Sequence, residues 1–361
     1  MKIVSVVGAR PNFMKMASLS QAFSASGNIQ NVLVHTGQHY DSAMSQVFFD
    51  ELELPKPDVH LEVGSGTHAM QTAAILTRFE PVLDSEKPDA IVVVGDVNST
   101  MACALAAAKK HVPVAHVESG LRSYDRRMPE EINRVVADHL SQWLFTSEPS
   151  GAENLRKEGI DRGVHFVGNT MIDCLKMHQK AAQKRDAAHN LDVDRYGLVT
   201  LHRAENVDDP VQLEKLVAMV EAAAKRMELV VPIHPRTKKQ LEQNGHFGRL
   251  QENAQVRMVE PLGYLDFLSL QMDAAFVLTD SGGIQEETTF LNVPCLTMRS
   301  NTERPVTVLE GSNTLVGLDR AALEKALDAI ENKTYKQARV PEKWDGLAGA
   351  RIAKILEGSE S

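Results

Sequence analysis

Short, largely apolar runs alternate along the chain with longer segments in which apolar and polar residues mix. The runs include 3–7, 90–94 and 114–117, and the mixed segments include 13–25 and 100–109. Short apolar runs are typical of strands buried on both faces of a parallel sheet, and the mixed segments favour helices. The repeated order of strand and helix therefore predicts an α/β fold.

A second alternating series begins with the run 197–201 and the helical segment 210–226. Two such series predict two Rossmann-like domains, an N-terminal one over 1–170 and a C-terminal one over 171–345. Ligands of these sheets bind beyond the carboxyl ends of the strands, and two facing sheets form a cleft. We therefore expect the active site in the interdomain cleft.

Composition narrows the class of protein. The chain has 361 residues, 43% of them hydrophobic, and a net charge of −9, so a basic surface for nucleic acid is not expected. Three cysteines lie far apart in apolar contexts, which favours reduced thiols and a cytoplasmic location. No segment approaches the roughly 20 apolar residues of a membrane span, so no membrane partner is expected.

One glycine-rich stretch predicts a phosphate site. An apolar run over 274–278 ends at Thr-Asp-Ser-Gly-Gly, and a helical pattern begins near residue 284. Backbone N–H groups and the dipole at a helix N-terminus favour an anion at Ser281, Gly282 and Gly283. Glu287 follows on the same helix, within reach of a sugar hydroxyl. The alternative is an ordinary turn with a Ser or Asp N-cap.

Three acidic side chains are candidates for proton transfer. Asp96 and Glu118 each follow a buried strand directly, and Glu130 opens a helix beside Pro129. A carboxyl group at a strand end is suited to acid–base work when burial shifts its pKa. The alternatives are an N-cap for Asp96 and, for the neighbouring Glu131, a favourable contact with the helix dipole.

Basic side chains accompany these acids. Arg10 and Lys15 follow the first strand, and a charged loop after the last predicted strand contains Arg304. His202 follows a strand of the second half, where it could transfer a proton or donate to a phosphate. A metal site is not predicted, because His202 and His234 end different strands. Solvated surface charge is the alternative for these cations.

Together these segments resemble the non-hydrolysing UDP-N-acetylglucosamine 2-epimerase family over nearly the whole chain. The matching segments occur in one order: Gly-Ala-Arg-Pro at 8–11, Gly-Asp at 95–96, His-Val-Glu-Ser-Gly-Leu-Arg at 116–122, Pro-Glu-Glu-Ile-Asn-Arg at 129–134, Leu-His-Arg-Ala-Glu-Asn at 201–206, Asp-Ser-Gly-Gly-Ile-Gln-Glu-Glu at 280–287 and Thr-Glu-Arg-Pro at 302–305.

The resemblance implies a glycosyltransferase-B architecture in which the C-terminal helix, about 346–361, packs back on the first domain. It implies a homodimer that interconverts UDP-GlcNAc and UDP-ManNAc without a cofactor. A base removes the C2 proton as UDP departs, which leaves 2-acetamidoglucal. UDP adds back after C2 is protonated from the other face.

The resemblance also implies roles for single residues. Asp96, Glu118 and Glu130 match the family's essential acids, with their faces at C2 unassigned, and His202 matches its histidine near the phosphates. Asn12 departs from the family, where Glu is usual. The substrate-binding positions are Arg10, Lys15, Arg134, Ser281, Gly282, Gly283 and Arg304, with Glu287 on the ribose and the segment around Phe267 on the uracil.

Three other functions remain open on the sequence. A retaining glycosyltransferase would share the diphosphate and ribose contacts but would not need three carboxylates around one sugar carbon. A 2-epimerase of a related UDP-sugar, such as a UDP-diacetamido uronate, would differ only in the sugar pocket. An inactive UDP-sugar-binding module would not need the acid–base groups that are present together here.

Overall fold

The structure is a computed structural model that describes residues 1–38, 49 and 51–358, apart from the side chains of Arg10, Ala204 and Glu205. It divides into two compact units, Met1–Met177 with Glu342–Ser361, and His178–Pro341. The predicted domain boundaries at 170 and 345 lie near this division, and the assignment of these domains remains a prediction. A helix expected over 42–52 falls largely outside the described residues.

The first unit contains a seven-stranded parallel sheet. Its strands are β1 (Lys2–Val7), β2 (Gln30–His35), β3 (Val59–His60), β4 (Ala90–Val94), β5 (Val114–Val117), β6 (Trp143–Thr146) and β7 (Val164–Phe166). Its helices are α1 (Arg10–Ser26), α2 (His68–Glu86), α3 (Asn98–Lys109), α4 (Pro129–Leu140), α5 (Pro149–Lys157), the start of α6 (Thr170–Gln183) and α16 (Ala348–Leu356).

The strands lie in the order β3-β2-β1-β4-β5-β6-β7. Successive strands are added on one side of β1 up to β3 and on its other side from β4 onward, so the chain order switches beside β1. In the registers, Val7 of β1 pairs with His35 of β2, and Val94 of β4 pairs with Val117 of β5. The carboxyl ends of β1, β4 and β5 therefore lie side by side. A crevice forms at such a reversal, and ligands of open α/β sheets bind there.

The C-terminal segment of the first unit returns to its first helix. Helix α16 packs on α1, and the Gly349 N–H donates to Oδ2 of Asp173 at 2.7 Å. The Trp344 indole, which is 1% exposed, donates to the carbonyl of Ser147 at 2.9 Å. These contacts attach residues 342–358 to the first unit, and residues 359–361 lie outside the described part of the chain.

The second unit contains a six-stranded parallel sheet in the order β10-β9-β8-β11-β12-β13, which reverses beside β8. Its strands are β8 (Tyr196–Thr200), β9 (Glu228–Pro232), β10 (Val256–Val259), β11 (Phe276–Thr279), β12 (Cys295–Thr297) and β13 (Asn313–Leu315). Its helices are α7 (Ala187–Asn190), α8 (Ala204–Val207), α9 (Pro210–Ala224), α10 (Pro235–Gln243), α11 (Phe247–Gln251), α12 (Tyr264–Asp273), α13 (Gly282–Leu291), α14 (Pro305–Leu309) and α15 (Arg320–Glu331).

Helices cover both faces of the second sheet. Leu198 and Val277 belong to one apolar cluster, and their chain neighbours Val199 and Leu278 belong to another. Because successive strand residues point to opposite faces, the two clusters are the two layers of core. This double burial explains why the strands appear in the sequence as continuous apolar runs, and the predicted α/β class is confirmed.

A substitution at Gly168 tests how the C-terminal segment is held to the first unit. Its φ is +94°, and a Cβ there would lie 2.0 Å from the carbonyl oxygen of Lys343. We expect Gly168→Ala to lower the free energy of unfolding of the first unit by about 2–4 kcal/mol, from left-handed strain plus overpacking. Denaturant unfolding followed by tryptophan fluorescence measures this loss, because Trp143 and Trp344 both lie in this unit.

Gly159→Ala is the matched control. Gly159 also has a left-handed φ, +81°, but nothing lies within 4 Å of a Cβ built there. Only the conformational cost, about 1 kcal/mol, is then expected. Equal losses in the two variants would show that the close approach to Lys343 does not matter.

Candidate active site

The loop after β1 is held by Asn12. Its Oδ1 accepts from the N–H groups of Gly8 and Ala9 at 3.2 and 3.1 Å, and its Nδ2 donates to the carbonyl of Val94 at 3.0 Å. One buried amide therefore fixes the start of α1 and ties it to the end of β4. The side chain of Arg10, a predicted diphosphate ligand, lies outside the described part of the structure.

Lys15 is buried and forms an ion pair with Glu118, although surface exposure was an alternative for it. Both side chains are about one-twentieth exposed, at 6% and 5%. Gly95 leaves room for the pair, since a Cβ there would lie 2.9 Å from Nζ of Lys15 and 3.4 Å from Oε2 of Glu118. The ammonium group favours the charged form of the Glu118 carboxylate.

Asp96 pairs with Arg134 of helix α4, and Arg134 also lies 2.6 Å from Oε2 of Glu131. Arg134 is 2% exposed, whereas the Asp96 side chain is 25% exposed. Asn133 donates to the carbonyl of Asp96 at 2.9 Å. Two neighbouring residues of α4 therefore hold the backbone and the carboxylate of Asp96 and leave one side of the carboxylate accessible.

The two glutamates at the start of α4 differ in their surroundings. Glu131 is buried and accepts from the N–H groups of Ser123 and Tyr124 at 2.9 and 2.8 Å, so it fixes the loop that follows β5. Glu130 is partly exposed and makes no hydrogen bond or ion pair within the part of the chain that the structure describes. The contrast favours Glu130 over Glu131 as a group that meets substrate.

A buried ionic network behind these acids was not predicted from the sequence. His116 of β5 and Arg122 both pair with Asp138 of α4, at 2.7 Å each. Two sequence signals could have indicated it: a histidine inside an apolar strand, and an aspartate in the last turn of a helix, where the dipole disfavours negative charge.

In the second unit, Asp280 organises the loop after β8. Its carboxylate accepts from the N–H groups of His202 and Arg203 and from Nδ2 of Asn206, at 3.0–3.3 Å. Burial acts to raise the pKa of Asp280, but His202 and these donors outweigh it and hold the pKa below its usual value. The His202 side chain remains 44% exposed, with Nδ1 3.2 Å from Asp280.

Asp280 leads directly into the predicted anion site. Ser281 precedes helix α13, which begins at Gly282. A Cβ at Gly282 would lie 2.5 Å from Nη1 of Arg304, so glycine permits the close approach of the guanidinium group. The structure thus brings Ser281, Gly282 and Arg304 together, as the predicted site requires.

Arg304 is itself held in a buried cluster of charges. Its Nε lies 2.9 Å from Oε1 of Glu286, and its Nη1 lies 2.5 Å from Oε1 of Glu303. The other oxygen of Glu303 pairs with Arg299 at 3.0 Å. These alternating charges fix the 299–304 loop against the first turns of α13. Glu286 and Glu303 were not selected from the sequence, where they read as part of a charged loop and helix.

Glu287 and Phe267 lie on adjacent helices of the second unit. Glu287 is 2% exposed and accepts from the Tyr264 hydroxyl at 3.1 Å. Burial, with a contribution from Glu286, raises the pKa of Glu287 to about 7. Phe267, on α12, packs half-buried against the apolar cluster of that sheet face. Its N–H donates within the helix to Gly263 at 3.1 Å.

Among the residues that the structure describes, no group of three or more His, Cys, Asp or Glu side chains is placed to hold a metal ion. No described helix is long and apolar enough to cross a membrane. Cys103, Cys174 and Cys295 are buried and form no disulfide, and burial raises the pKa of Cys103 and Cys295.

Comparison with known proteins identifies the family of the chain. A family model described as UDP-N-acetylglucosamine 2-epimerase matches residues 21–357. The UDP-N-acetylglucosamine 2-epimerase of Methanocaldococcus jannaschii is 45% identical over 366 residues, which cover 99% of each chain. The UDP-2,3-diacetamido-2,3-dideoxy-D-glucuronate 2-epimerase of Pseudomonas aeruginosa is 42% identical over 361 residues, again 99% of each.

The chain belongs to the UDP-N-acetylglucosamine 2-epimerase family. The family is one of isomerases, as the sequence resemblance indicated. A crystal structure of the Methanocaldococcus jannaschii enzyme in complex with UDP-GlcNAc and UDP has a TM-score of 0.92, with 44% identity over 99% of this chain and 100% of that one. These similarities confirm the predicted family and its glycosyltransferase-B-like fold.

The Lys15–Glu118 ion pair should contribute measurably to the free energy of unfolding. Lys15→Met removes a buried counter-charge and should cost about 3 kcal/mol, and Glu118→Gln should cost a similar amount because it isolates the ammonium group. The double variant should lose clearly less than the sum, because it leaves neither charge behind. Denaturant unfolding followed by tryptophan fluorescence gives all three values.

A surface pair provides the control for this cycle. Lys110 lies 2.5 Å from Asp84, and the two side chains are 32% and 59% exposed. Lys110→Met should therefore change the free energy of unfolding by less than about 1 kcal/mol. Additive losses for Lys15→Met and Glu118→Gln would mean that the two buried side chains do not interact.

Proposed function

We propose that this chain interconverts UDP-GlcNAc and UDP-ManNAc by epimerisation at C2. The observation that carries the proposal is the set of carboxylates at the strand ends of the first unit, Asp96, Glu118 and Glu130, in a chain of this family. Two of them are held by buried cations and one is partly exposed. Such a set is suited to moving protons at a weakly acidic carbon.

In the proposed reaction, a carboxylate of the first unit takes the proton from C2. The electron pair of that C–H bond forms the C1–C2 double bond as the C1–O bond to UDP breaks. The products are 2-acetamidoglucal and UDP. A carboxyl group then returns a proton to the opposite face of C2, and a β-phosphate oxygen of UDP adds to C1. The steps transfer protons and break and re-form the C1–O bond without any hydride transfer, so no redox cofactor is needed.

The second unit is proposed to hold the nucleotide throughout. The start of α13 offers the N–H groups of Gly282 and Gly283, the side chain of Ser281 and the positive end of the helix dipole to the diphosphate. The N–H of Ser281 itself donates to Oγ1 of Thr279 at 3.0 Å. Glu287 is assigned to the ribose, and the segment around Phe267 to the uracil. His202, Arg10 and Arg304 are assigned to the phosphates. UDP must stay bound after bond cleavage, since it is also the reactant of the return step.

Lys15 and Arg134 are assigned mainly to the acids they contact. By favouring the ionised forms of Glu118 and Asp96, they would keep proton acceptors available near neutral pH. Direct contacts of these two cations with substrate remain a prediction. This division explains why both cations are buried beside carboxylates.

A second candidate has the same chemistry on a different sugar. The Pseudomonas aeruginosa relative, named for a UDP-diacetamido glucuronate, is 42% identical, close to the 45% of the Methanocaldococcus jannaschii enzyme. Turnover of the two UDP-sugars, compared by kcat/KM, decides between them. We prefer UDP-GlcNAc because two structures similar to 99% of this chain, with TM-scores of 0.92 and 0.90, are of UDP-GlcNAc 2-epimerases.

Two further properties belong to the proposal. We expect two independent domains with boundaries near 170 and 345, and a homodimer in the cytoplasm, as the family resemblance implies. Expression of the predicted segments tests the boundaries. Sedimentation equilibrium and cell fractionation test the assembly and the location, and a monomeric active enzyme would reject the dimer.

Incubation with UDP-GlcNAc alone in heavy water is the direct test. We expect deuterium at C2 and the appearance of UDP-ManNAc, both followed by NMR, whereas a glycosyltransferase without acceptor incorporates none. Asp96→Asn and Glu130→Gln should each lower kcat by about 100-fold or more. Exchange measured from each epimer separately assigns each acid to a face of C2.

The matched control is Glu153→Gln, on the exposed surface of α5 where Glu153 pairs only with Lys157 among the described contacts. Its kcat should equal that of the wild type. Full activity of Asp96→Asn would remove Asp96 from the mechanism, and absence of C2 exchange in the wild type with either UDP-sugar would reject the proposed function.

The pKa of Glu287 predicts how UDP binding depends on pH. With a pKa near 7, the carboxyl is mostly protonated at about pH 6 and ionised at about pH 8. Only the ionised form can accept from both ribose hydroxyl groups. We therefore expect UDP affinity to rise roughly tenfold over that interval, measured by calorimetry.

Glu287→Gln separates this effect from the ionisation of UDP itself. Both proteins bind the same nucleotide, so any pH dependence caused by its phosphate remains in the variant. The rise attributed to Glu287 should disappear, and affinity at about pH 8 should fall. Identical pH profiles for the wild type and Glu287→Gln would contradict the ribose assignment.

A further inference from the structure

Both ring nitrogens of His116 contact oxygen atoms in the core of the first unit. Nδ1 lies 2.7 Å from Oδ1 of Asp138, and Nε2 lies 2.7 Å from the carbonyl oxygen of Gly95. His116 and Asp138 are almost completely buried. A carbonyl oxygen can only accept, so Nε2 carries a proton and donates to Gly95.

The contacts of the other carboxylate oxygen of Asp138 determine whether Nδ1 of His116 donates or accepts. Oδ2 accepts from the N–H of Gly120 at 3.1 Å and lies 2.7 Å from Nη1 of Arg122. Burial acts to raise the pKa of Asp138, but His116 and Arg122 outweigh it, and the pKa lies below the usual value. Asp138 is therefore an ionised acceptor, and Nδ1 of His116 also donates.

This network joins two backbone turns that carry proposed catalytic acids. The Gly95 carbonyl belongs to the peptide that leads into Asp96, and the Gly120 N–H follows Glu118 by two residues. Glu118 has a φ of +71°, a left-handed conformation that costs a non-glycine residue about 1–2 kcal/mol. Such a turn persists only where its surroundings hold it.

We propose that His116 and Asp138 are positioning residues for proton transfer at C2. His116 fixes the orientation of the Gly95–Asp96 peptide, and Asp138 holds the turn after Glu118 to the same ring. The imidazole ring thus sets the two acids in a fixed relation. The inference rests on the proposed function and adds residues that do not touch the substrate.

A purely structural role would make a different prediction. If the network only stabilises the core, any change of His116 lowers activity in proportion to the loss of folded protein. If it positions the acids, the contact with Gly95 matters more than the presence of the ring. Small errors in the placement of reacting groups can cost about 100-fold in rate without loss of the fold.

Two amide substitutions separate the contacts of His116. The amide nitrogen of Gln can reach the position of Nε2 and keep the bond to Gly95, whereas that of Asn can reach only the position of Nδ1. Both variants remove the imidazole ring. We expect His116→Gln to retain kcat within about tenfold and His116→Asn to lose about 100-fold. Rates of C2 exchange in heavy water should fall in the same ratio.

Three further readouts guard against misfolding. Tryptophan fluorescence reports the first unit, since Trp143 and Trp344 both lie there, and the Kd of UDP reports the second unit. Both should match between the two amide variants. Glu158→Gln, at the outer end of the network where Glu158 contacts Arg122, should lower stability without changing kcat.

The outcomes are distinct. A lower kcat for His116→Asn than for His116→Gln, at equal stability and equal Kd for UDP, supports the proposal. Equal kcat values overturn it. If His116→Asn does not fold, Asp138→Asn replaces it: a kcat lowered about tenfold in folded protein supports the proposal, and an unchanged kcat overturns it. A wild type without C2 exchange would instead reject the proposed function.

Discussion

Buried charge is the constraint on which the first unit depends. A carboxylate removed from water is costly unless a cation or several N–H groups compensate it. Helix α4 takes part in this pairing with one cation, Arg134, and two buried carboxylates, Glu131 and Asp138. Arg134 pairs with Asp96, Glu131 holds the loop after β5, and Asp138 pairs with His116. The helix therefore links acidic turns from two neighbouring strands, and its own first turn presents Glu130.

The positions of the polar clusters followed from the sequence because strand ends are local features. Asp96, Glu118 and His202 each follow an apolar run, and parallel strands end at the same edge. Their partners did not follow, because pairing is decided in three dimensions. Lys15 meets Glu118 across 103 positions of the chain, and nothing near Lys15 in the sequence distinguishes it from a surface lysine.

Elements with buried polar residues were also missed. Strand β13 contains the buried residue Asn313. Its burial is possible because its side chain forms hydrogen bonds with Gln285, Thr297 and Thr307. Such a strand lacks the apolar run by which the others were found. Helix α5 is short and largely polar, with only Gly151 and Leu155 buried. In both cases tertiary contacts determine the secondary structure. Such contacts produce no periodic pattern of apolar residues in the sequence.

Asp280 holds the loop after β8 chiefly through backbone N–H groups, those of His202 and Arg203. Backbone donors are the same for every residue except proline, and the His202 ring adds one further contact with Asp280. A change of side chain at 202 would therefore remove one contact and leave the backbone attachments of the loop in place. The exposed group at this position can thus be varied while its attachment point stays where it is.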